Sequence, residues 1–130
     1  MTMTDPIANM LAALKNGWRV RKKSIAVPYS NSKVALLKIF KDKELIDDFR
    51  VEGEAKKRFV IFLRYINGQA PIEAIKKVSK PGRKIYLGYK DLKPVRQGYG
   101  FRIISTSRGV MLDEQARKRR LGGEVICEVT

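Results

Sequence analysis

Asn67-Gly68-Gln69-Ala70-Pro71 separates two parts of the sequence that differ in character. The stretch combines glycine and proline with small polar residues and lacks an apolar period, which is typical of a connecting turn. Helical and strand patterns alternate before it, whereas short strands predominate after it. We therefore predict an α+β protein with two small lobes. Residues 1–66 would form an N-terminal α-β-α-β-β unit, and residues 67–130 a C-terminal, mostly antiparallel β lobe with one short helix.

The N-terminal lobe begins with an amphipathic helix. Thr4-Asp5-Pro6 offers a capping hydroxyl, an acid for the positive helix end and a proline suited to the first turn. We predict that this helix ends near Gly17. The apolar residues that follow at helical spacing are Ile7, Met10, Leu11 and Leu14.

Four further elements complete the N-terminal lobe. The predicted elements are a strand over residues 24–28, a helix over 32–43 and strands over 46–52 and 57–65. Ser30 or Asn31 would cap the helix, and Gly53 lies in the turn between the last two strands. The residues expected to face the core are Leu36, Leu37 and Phe40 of the helix, and Phe59, Ile61, Leu63 and Tyr65 of the last strand.

The C-terminal lobe consists of short elements separated by turns. The predicted elements are strands over residues 72–78, 84–87 and 101–104, a helix over 113–120 and a last strand over 124–129. The first two strands flank the Pro81-Gly82 turn, and the third follows a bend at Gly98-Tyr99-Gly100. A loop over residues 105–109 is expected to lead into the helix. Gly122-Gly123 would close that helix with residues of positive φ.

The charge of the chain indicates its class of partner. Its 28 lysines and arginines outnumber 13 aspartates and glutamates, which gives a formal net charge of +15. Such a field recruits a polyanion, and nucleic acid is the expected one. The basic residues are spread over the whole chain and form no amphipathic basic helix, which argues against a membrane partner. With no signal-peptide layout and no long apolar run, we expect a cytoplasmic protein.

Catalytic groups are scarce. The sequence has no histidine, so neither a Ser-His-Asp nor a Cys-His arrangement is available, and the phosphate-cradling Gly-Lys-Ser/Thr motif does not occur. The single cysteine, Cys127, favours a small buried apolar residue in the last strand. We therefore predict a binding protein and not an enzyme, with no metal and no cofactor.

The stretch Ser105-Thr106-Ser107-Arg108-Gly109 is the strongest candidate for RNA contact. Its hydroxyls can donate to phosphate and both donate to and accept from ribose 2′-hydroxyls, while Arg108 adds charge and Gly109 permits close backbone approach. The alternative is an ordinary loop whose hydroxyls bond their own backbone. From chemistry alone both interpretations remain open.

Two basic stretches are further candidates. Lys80-Pro81-Gly82-Arg83 forms a basic turn, and Tyr86 after it offers an aromatic face to an exposed base; the alternative is a plain surface hairpin. Arg117-Lys118-Arg119-Arg120 lies at the end of a predicted helix, where some of the cations would complement the helix dipole. Four in a row exceed that need, so we expect phosphate contact by some of them, Arg117 and Lys118 included.

Four segments together resemble the small-subunit ribosomal protein S8 family of the bacterial type. They are Met3-Thr4-Asp5-Pro6-Ile7-Ala8-Asn9-Met10-Leu11, Val78-Ser79-Lys80-Pro81-Gly82, Ser105-Thr106-Ser107 with Gly109-Val110-Met111, and Gly122-Gly123-Glu124-Val125. They stand in the family's order and at its spacing along the whole chain. The resemblance implies a structural component of the small ribosomal subunit that binds the central domain of 16S rRNA directly and helps assembly.

The resemblance also implies partners and contact residues. Proteins S5 and S12 would be neighbours, and in some bacteria the protein would repress a ribosomal-protein mRNA. By position, Ser105, Thr106 and Ser107 would make the main RNA contacts, with Tyr86 and Gly122-Gly123-Glu124 on the same surface. The N-terminal positions that would face RNA are Thr4, Asp5, Asn16, Ser30 and Lys33.

Leu112 replaces a common threonine cap, so Asp113 could cap the helix instead. An extra-ribosomal regulatory or architectural nucleic-acid-binding protein remains the alternative.

Overall fold

The computed structural model describes residues 5–95 and 100–130. The expectations for Thr4, Gly98 and Tyr99 therefore lie outside the described residues. The chain combines three helices with strands in two antiparallel sheets within the described ranges, and the α+β class is confirmed. Contacts divide it into two compact units, Pro6–Ile72 and Glu73–Thr130, the second of which also includes Asp5.

The Pro6–Ile72 unit has the predicted α-β-α-β-β order. Its elements are α1 (Pro6–Arg19), β1 (Ser24–Pro28), α2 (Asn31–Asp42), β2 (Ile46–Glu52) and β3 (Arg58–Leu63). The sheet order is β1-β3-β2, so β3 is central and β1 lies at an edge. Both helices contact the sheet and cover one of its faces. The predicted inward residues Leu36, Leu37, Phe40, Phe59 and Ile61 are fully buried, and Leu63 is 4% exposed.

Two local predictions in this unit need correction. Helix α1 continues past Gly17 to Arg19, because Gly17 serves packing: a Cβ there would lie 2.8 Å from side-chain carbons of both Ile25 and Leu63. Tyr65 lies beyond the end of β3, and its hydroxyl donates a hydrogen bond to the Lys22 carbonyl at 2.6 Å. It ties a loop to the unit instead of extending the apolar face.

The Glu73–Thr130 unit is built on a second antiparallel sheet. Its elements are β4 (Ile75–Lys77), β5 (Tyr86–Leu87), a short 3-10 helix (Tyr89–Asp91), β6 (Phe101–Thr106), β7 (Gly109–Leu112), α3 (Asp113–Lys118) and β8 (Gly123–Val129). The sheet order is β4-β8-β6-β7, and β5 also pairs with β8. A buried cluster fills the space under α3 and consists of Leu92, Ile104, Met111, Ala116 and Val125. Cys127 is buried in β8, as predicted.

The predicted strands over residues 72–78 and 84–87 are shorter in the structure. Strands β4 and β5 do not pair with each other; each pairs with β8. The turn between them is closed by Lys80 and Arg83, whose backbone groups exchange two hydrogen bonds of 2.9 Å each. The Pro81-Gly82 turn is therefore present, while the two strands beside it are held by the C-terminal strand.

The predicted loop over residues 105–109 is a β-hairpin. Strand β6 runs to Thr106, and β7, which the sequence analysis missed, begins at Gly109. The pairs Thr106–Gly109 and Ser105–Val110 leave Ser107 and Arg108 as the turn. Three hydroxyl residues therefore occupy two structural settings, since two of them belong to a strand and one to the turn.

Helix α3 is shorter than predicted and ends differently. It begins at Asp113, a residue that is 4% exposed and whose carboxylate accepts a 2.9 Å hydrogen bond from the Glu114 N–H. It ends at Lys118, and the residue of positive φ after it is Arg120, at 55°. The closing role predicted for Gly122-Gly123 was wrong, because neither glycine is among the residues with positive φ.

Among the helices of the described residues, none has the length and apolar character needed to cross a bilayer.

Candidate nucleic-acid interface

A row of paired residues crosses the second sheet near one end. Tyr86 of β5 pairs with Glu124 of β8, Glu124 also pairs with Ser105 of β6, and Ser105 pairs with Val110 of β7. Directly paired residues of antiparallel strands share a face, so we call Tyr86, Glu124, Ser105 and Val110 the cross-strand row. Tyr86 is 64% exposed. The sheet thus brings together the three polar residues that sequence analysis placed on one surface.

The opposite face of the same strands is apolar. Ile104, next to Ser105, and Val125, next to Glu124, are buried in the cluster under α3. Because neighbouring strand residues point to opposite faces, burial of these two side chains turns Ser105 and Glu124 outward. The packing of the unit therefore fixes which face the cross-strand row presents.

The β6–β7 turn extends this face with a polar tip. Ser107, Arg108 and Gly109 are all exposed. Gly109 has a φ of 108°, which favours glycine, and a Cβ there would meet nothing within 4 Å. Its backbone therefore stands beside open space, where another molecule can approach closely.

The three hydroxyls of this hairpin differ in their hydrogen bonds within the chain. Thr106 Oγ1 donates to the Gly109 carbonyl at 2.8 Å and accepts from the Arg108 N–H at 3.1 Å. The alternative of a hydroxyl that bonds its own backbone therefore holds for Thr106, which stabilises the turn. Within the described residues, Ser107 makes no such side-chain bond, so its hydroxyl is available to a partner.

Thr106→Val should lower the free energy of unfolding by about 1–2 kcal/mol, because it removes both hydrogen bonds of the turn. Urea unfolding of the full chain measures this change. Thr106→Ser keeps the hydroxyl and is the matched control, for which we expect most of the stability to be retained. Equal stability of the valine and serine variants would contradict a role for Thr106 in closing the turn.

The Gly122-Gly123 pair permits close approach of strands. A Cβ on Gly122 would lie 2.6 Å from the Leu87 carbonyl oxygen, and one on Gly123 would overlap the Ser105 carbonyl oxygen. The two glycines thus allow β8 to lie between β5 and β6 at this point. Their position supports the cross-strand row, since any side chain here would push Glu124 away from Ser105.

The basic turn at residues 80–83 is exposed and internally braced. Lys80, Pro81, Gly82 and Arg83 are all exposed. Ser79, which belongs to one of the segments that resemble the family, stabilises the turn: its buried Oγ accepts a 3.0 Å hydrogen bond from the Ile85 N–H.

A groove of about 350 Å³ lies beside this turn. It is lined by Lys76, Lys77, Val78, Lys80, Arg83, Ile85 and Glu128. The Lys77 ammonium already has partners within the unit, since it donates a hydrogen bond to the Ser79 carbonyl and lies 3.5 Å from the Asp5 carboxylate. The exposed charges of this groove are therefore Lys80, Arg83 and Lys76, which suit contact with a phosphate backbone.

The basic run after α3 divides into structural and exposed residues. Arg117 donates a 2.6 Å hydrogen bond to the Leu92 carbonyl and lies 3.8 Å from Asp113. It therefore ties α3 to the segment after the 3-10 helix, and its contact with RNA stays a prediction. Lys118 pairs with Glu114 at 3.3 Å on the surface, and Arg119 and Arg120 are exposed. Exposed ion pairs contribute little, so Lys118 remains available to phosphate.

The predicted contacts of the first unit are only partly at the surface. Asn16 is exposed and accepts a 2.8 Å hydrogen bond from Arg19. Ser30 is the residue before α2, but its Oγ lies 3.1 Å from the Ser32 Oγ and makes no capping bond. Lys33 is only 3% exposed and donates to the Pro28 carbonyl at 2.8 Å. Lys33 is therefore buried, and its contact with RNA stays a prediction.

The described residues contain neither a reactive thiol nor a metal cluster. Burial raises the pKa of Cys127 to about 12, so its thiol stays protonated at neutral pH. No group of three or more His, Cys, Asp or Glu in residues 5–95 and 100–130 is placed to hold a metal ion.

Comparison with known protein families gives a match that covers nearly the whole chain. A family model described as ribosomal protein S8 matches residues 5–130. The match includes both compact units and every segment of the interface described above.

Proposed function

The chain belongs to the ribosomal protein S8 family, and from that membership we propose that it binds the central domain of 16S rRNA and helps the small subunit to assemble. Membership itself makes the chain a small-subunit ribosomal protein with an rRNA-binding role, in a family not known as enzymatic. The proposed contact surface is the cross-strand row together with Ser107 at the tip of the hairpin.

The cross-strand row is the observation that supports this proposal most. The Tyr86 ring can stack on an unpaired base, and the Ser105 and Ser107 hydroxyls can bond ribose 2′-hydroxyls. Glu124 between them would repel phosphate and accept hydrogen bonds from the N–H groups of exposed bases. A surface of this chemistry suits an RNA helix interrupted by an internal loop, where bases leave the stack.

The exposed lysines and arginines supply a second, non-specific contribution. Phosphate contacts carry most of the affinity, whereas contacts to bases and riboses carry the selection. We assign the first role to Lys80, Arg83, Lys118 and Arg119, and the second to the cross-strand row and Ser107. Variants of the two groups should therefore differ in their response to salt and to RNA shape.

Two RNA stems of equal length test the proposal. One carries an internal loop taken from the central domain, and the other is a perfect duplex. We expect the looped stem to bind the full chain about a hundredfold or more tightly than the duplex, since specific sites exceed non-specific ones by such factors. Equal affinity for the two stems would overturn the proposal.

Ser107→Ala should cost about 1–2 kcal/mol in binding to the looped stem, because it leaves an RNA group at the interface without its hydrogen-bond partner. Binding to the perfect duplex should be nearly unchanged, because the phosphate contacts remain. Fluorescence anisotropy with both stems measures the difference. Ser107→Thr keeps the hydroxyl and should retain most of the affinity; an equal loss on both stems would refute the assigned role of Ser107.

Family membership also implies other ribosomal proteins as partners, and we extend the proposal to S5 and S12 as neighbours. Repression of a ribosomal-protein mRNA would follow if that mRNA carries a similar looped stem. The alternative is a regulatory or architectural binder that acts away from the ribosome. Sedimentation of a cell extract separates the two: our proposal requires most of the protein to travel with small subunits, and the alternative requires most of it to remain free.

A further inference from the structure

Lys33 carries a buried positive charge beside an apolar cleft. The cleft has a volume of about 360 Å³ and lies between α1 and the edge of β1, with Met10, Ala13, Val27 and Pro28 among its lining residues. Burial lowers the pKa of Lys33, and no opposing effect of a nearby carboxylate accompanies it. Within the described residues, the Pro28 carbonyl is the hydrogen-bond partner of the ammonium. A buried ammonium usually has an anionic partner, which makes the cleft a suitable place for a carboxylate.

The edge of β1 beside this cleft has free backbone groups. The Lys23 carbonyl accepts from Leu63, and the Tyr29 N–H donates to Lys57, so odd-numbered residues of this segment bond towards β3. Even-numbered residues point the other way, because hydrogen-bonding direction alternates along a strand. Ser24 and Ala26 therefore present N–H and C=O groups at the edge of the sheet, which carries no further strand in the part of the chain that the structure describes. Ala26 is exposed, so the edge is accessible.

Strand β1 also borders a basic cleft. A second cleft of about 340 Å³ is lined by the same part of β1 and by Lys56, Lys57 and Arg58. All three of these side chains are exposed. Two clefts thus share Ala26, Val27 and Pro28 of β1. One contains the buried ammonium, and the other is lined by three cations, of which Arg58 pairs with Glu52 at 3.4 Å.

From this arrangement we infer that the β1 edge is a docking site for an extended acidic segment of a partner protein, which adds a strand beside Ser24 and Ala26 and places a carboxylate against Lys33. Free edges accept such strands through main-chain hydrogen bonds, and clefts on either side receive alternate side chains. The Glu or Asp side chain would join the Pro28 carbonyl as a second partner of the ammonium.

A peptide fits this edge better than the other polymers. The first cleft is lined mostly by apolar groups. A sugar-phosphate chain would leave this cleft unfilled, whereas a peptide with an acidic side chain and apolar neighbours would fill it. A second copy of the same strand is disfavoured by Pro28, which lacks an N–H, and by like charge at Lys56–Arg58. The site lies in the first unit, so its failure would leave the proposed RNA surface intact.

The test uses the full chain labelled with ¹⁵N and a blocked peptide of sequence Thr-Glu-Val-Glu-Thr-Glu. We expect the largest amide shifts at Ser24, Ala26 and Lys33, together with slower hydrogen exchange of the Ala26 amide. A peptide with Lys in place of each Glu should bind at least about tenfold more weakly, because it meets like charge. A peptide N-methylated at alternate residues should also lose binding, since it can no longer pair with the edge.

Protein variants add an independent control. Lys33→Met removes the ammonium but keeps an apolar stem, and it should weaken binding of the acidic peptide about tenfold or more. Lys38→Met changes the same charge at an exposed position of the same helix and should have little effect. Shifts away from β1, equal binding of the Lys or N-methylated peptide, or equal loss in both variants would overturn the inference. So would an oligouridylate that shifts Ala26 and Lys33 more strongly than the peptide, or concentration-dependent shifts of Ala26 without peptide.

Discussion

Gly123→Ala is expected to lower the free energy of unfolding by about 3 kcal/mol, at the upper end of the cost of overpacking. The added Cβ would overlap the Ser105 carbonyl oxygen and lie 2.9 Å from its carbon and 3.1 Å from Ile104 Cγ2. A carbonyl within a sheet cannot rotate away without breaking its ladder. The β6–β8 pairing must therefore separate at this point.

The same substitution should also impair RNA binding. Separation of β6 from β8 moves Glu124 away from Ser105, so the cross-strand row would no longer present both side chains together. We expect Gly123→Ala to reduce the preference for the looped stem over the duplex even at temperatures where the variant is fully folded. Salt dependence should be retained, because the exposed lysines and arginines are unchanged.

Gly109→Ala is the matched control for the steric overlap at Gly123. Gly109 has a φ of 108°, but its Cβ would meet nothing within 4 Å, so only backbone strain opposes alanine there. We expect a cost of about 1–2 kcal/mol from that strain. Chemical denaturation of both variants measures the difference. A Gly123→Ala variant as stable as Gly109→Ala would contradict the close strand approach at Gly123.

The second large effect concerns the basic run after α3. The double substitution Lys118→Gln with Arg119→Gln should reduce the salt slope of RNA binding by about 2, since about one counterion is released for each phosphate contact. At 0.15 M salt this corresponds to roughly thirtyfold weaker binding, on both looped and duplex RNA. Binding titrations at several salt concentrations give the slope directly.

Arg117→Gln is the control for that experiment. Arg117 donates to the Leu92 carbonyl at 2.6 Å, so its loss should lower the stability of the second unit and leave the salt slope nearly unchanged. The prediction fails if Arg117→Gln flattens the slope as much as the double variant does. An unaltered slope in the double variant would make the whole run structural.

The elements of the first unit were predictable because their patterns are long. Strands β1 and β2 have the predicted bounds, and the inward residues of α2 follow directly from their spacing. The second unit was harder, because Gly109–Leu112 is too short for periodicity to distinguish a strand from the start of a helix. Pairing with β6 decides its conformation, and pairing is not visible in a local pattern.

The candidate site was predictable in its chemistry but not in its division of roles. Residue types favoured all three hydroxyls at 105–107, whereas the register assigns Thr106 to the turn and leaves Ser107 available. Lys33 was expected to face RNA from its position in the family resemblance, yet tertiary packing turns it inward. Arg117 likewise acquires a structural role through a contact 25 residues away in sequence.

The most direct test of the proposed RNA surface is a map of amide shifts of the full ¹⁵N-labelled chain upon addition of the looped stem. We expect the largest changes in the cross-strand row and the hairpin tip, at Tyr86, Ser105, Ser107, Gly109 and Glu124, with little change from the perfect duplex at the same positions. Changes confined to the basic segments, with the cross-strand row unaffected by the looped stem, would contradict the proposed RNA surface.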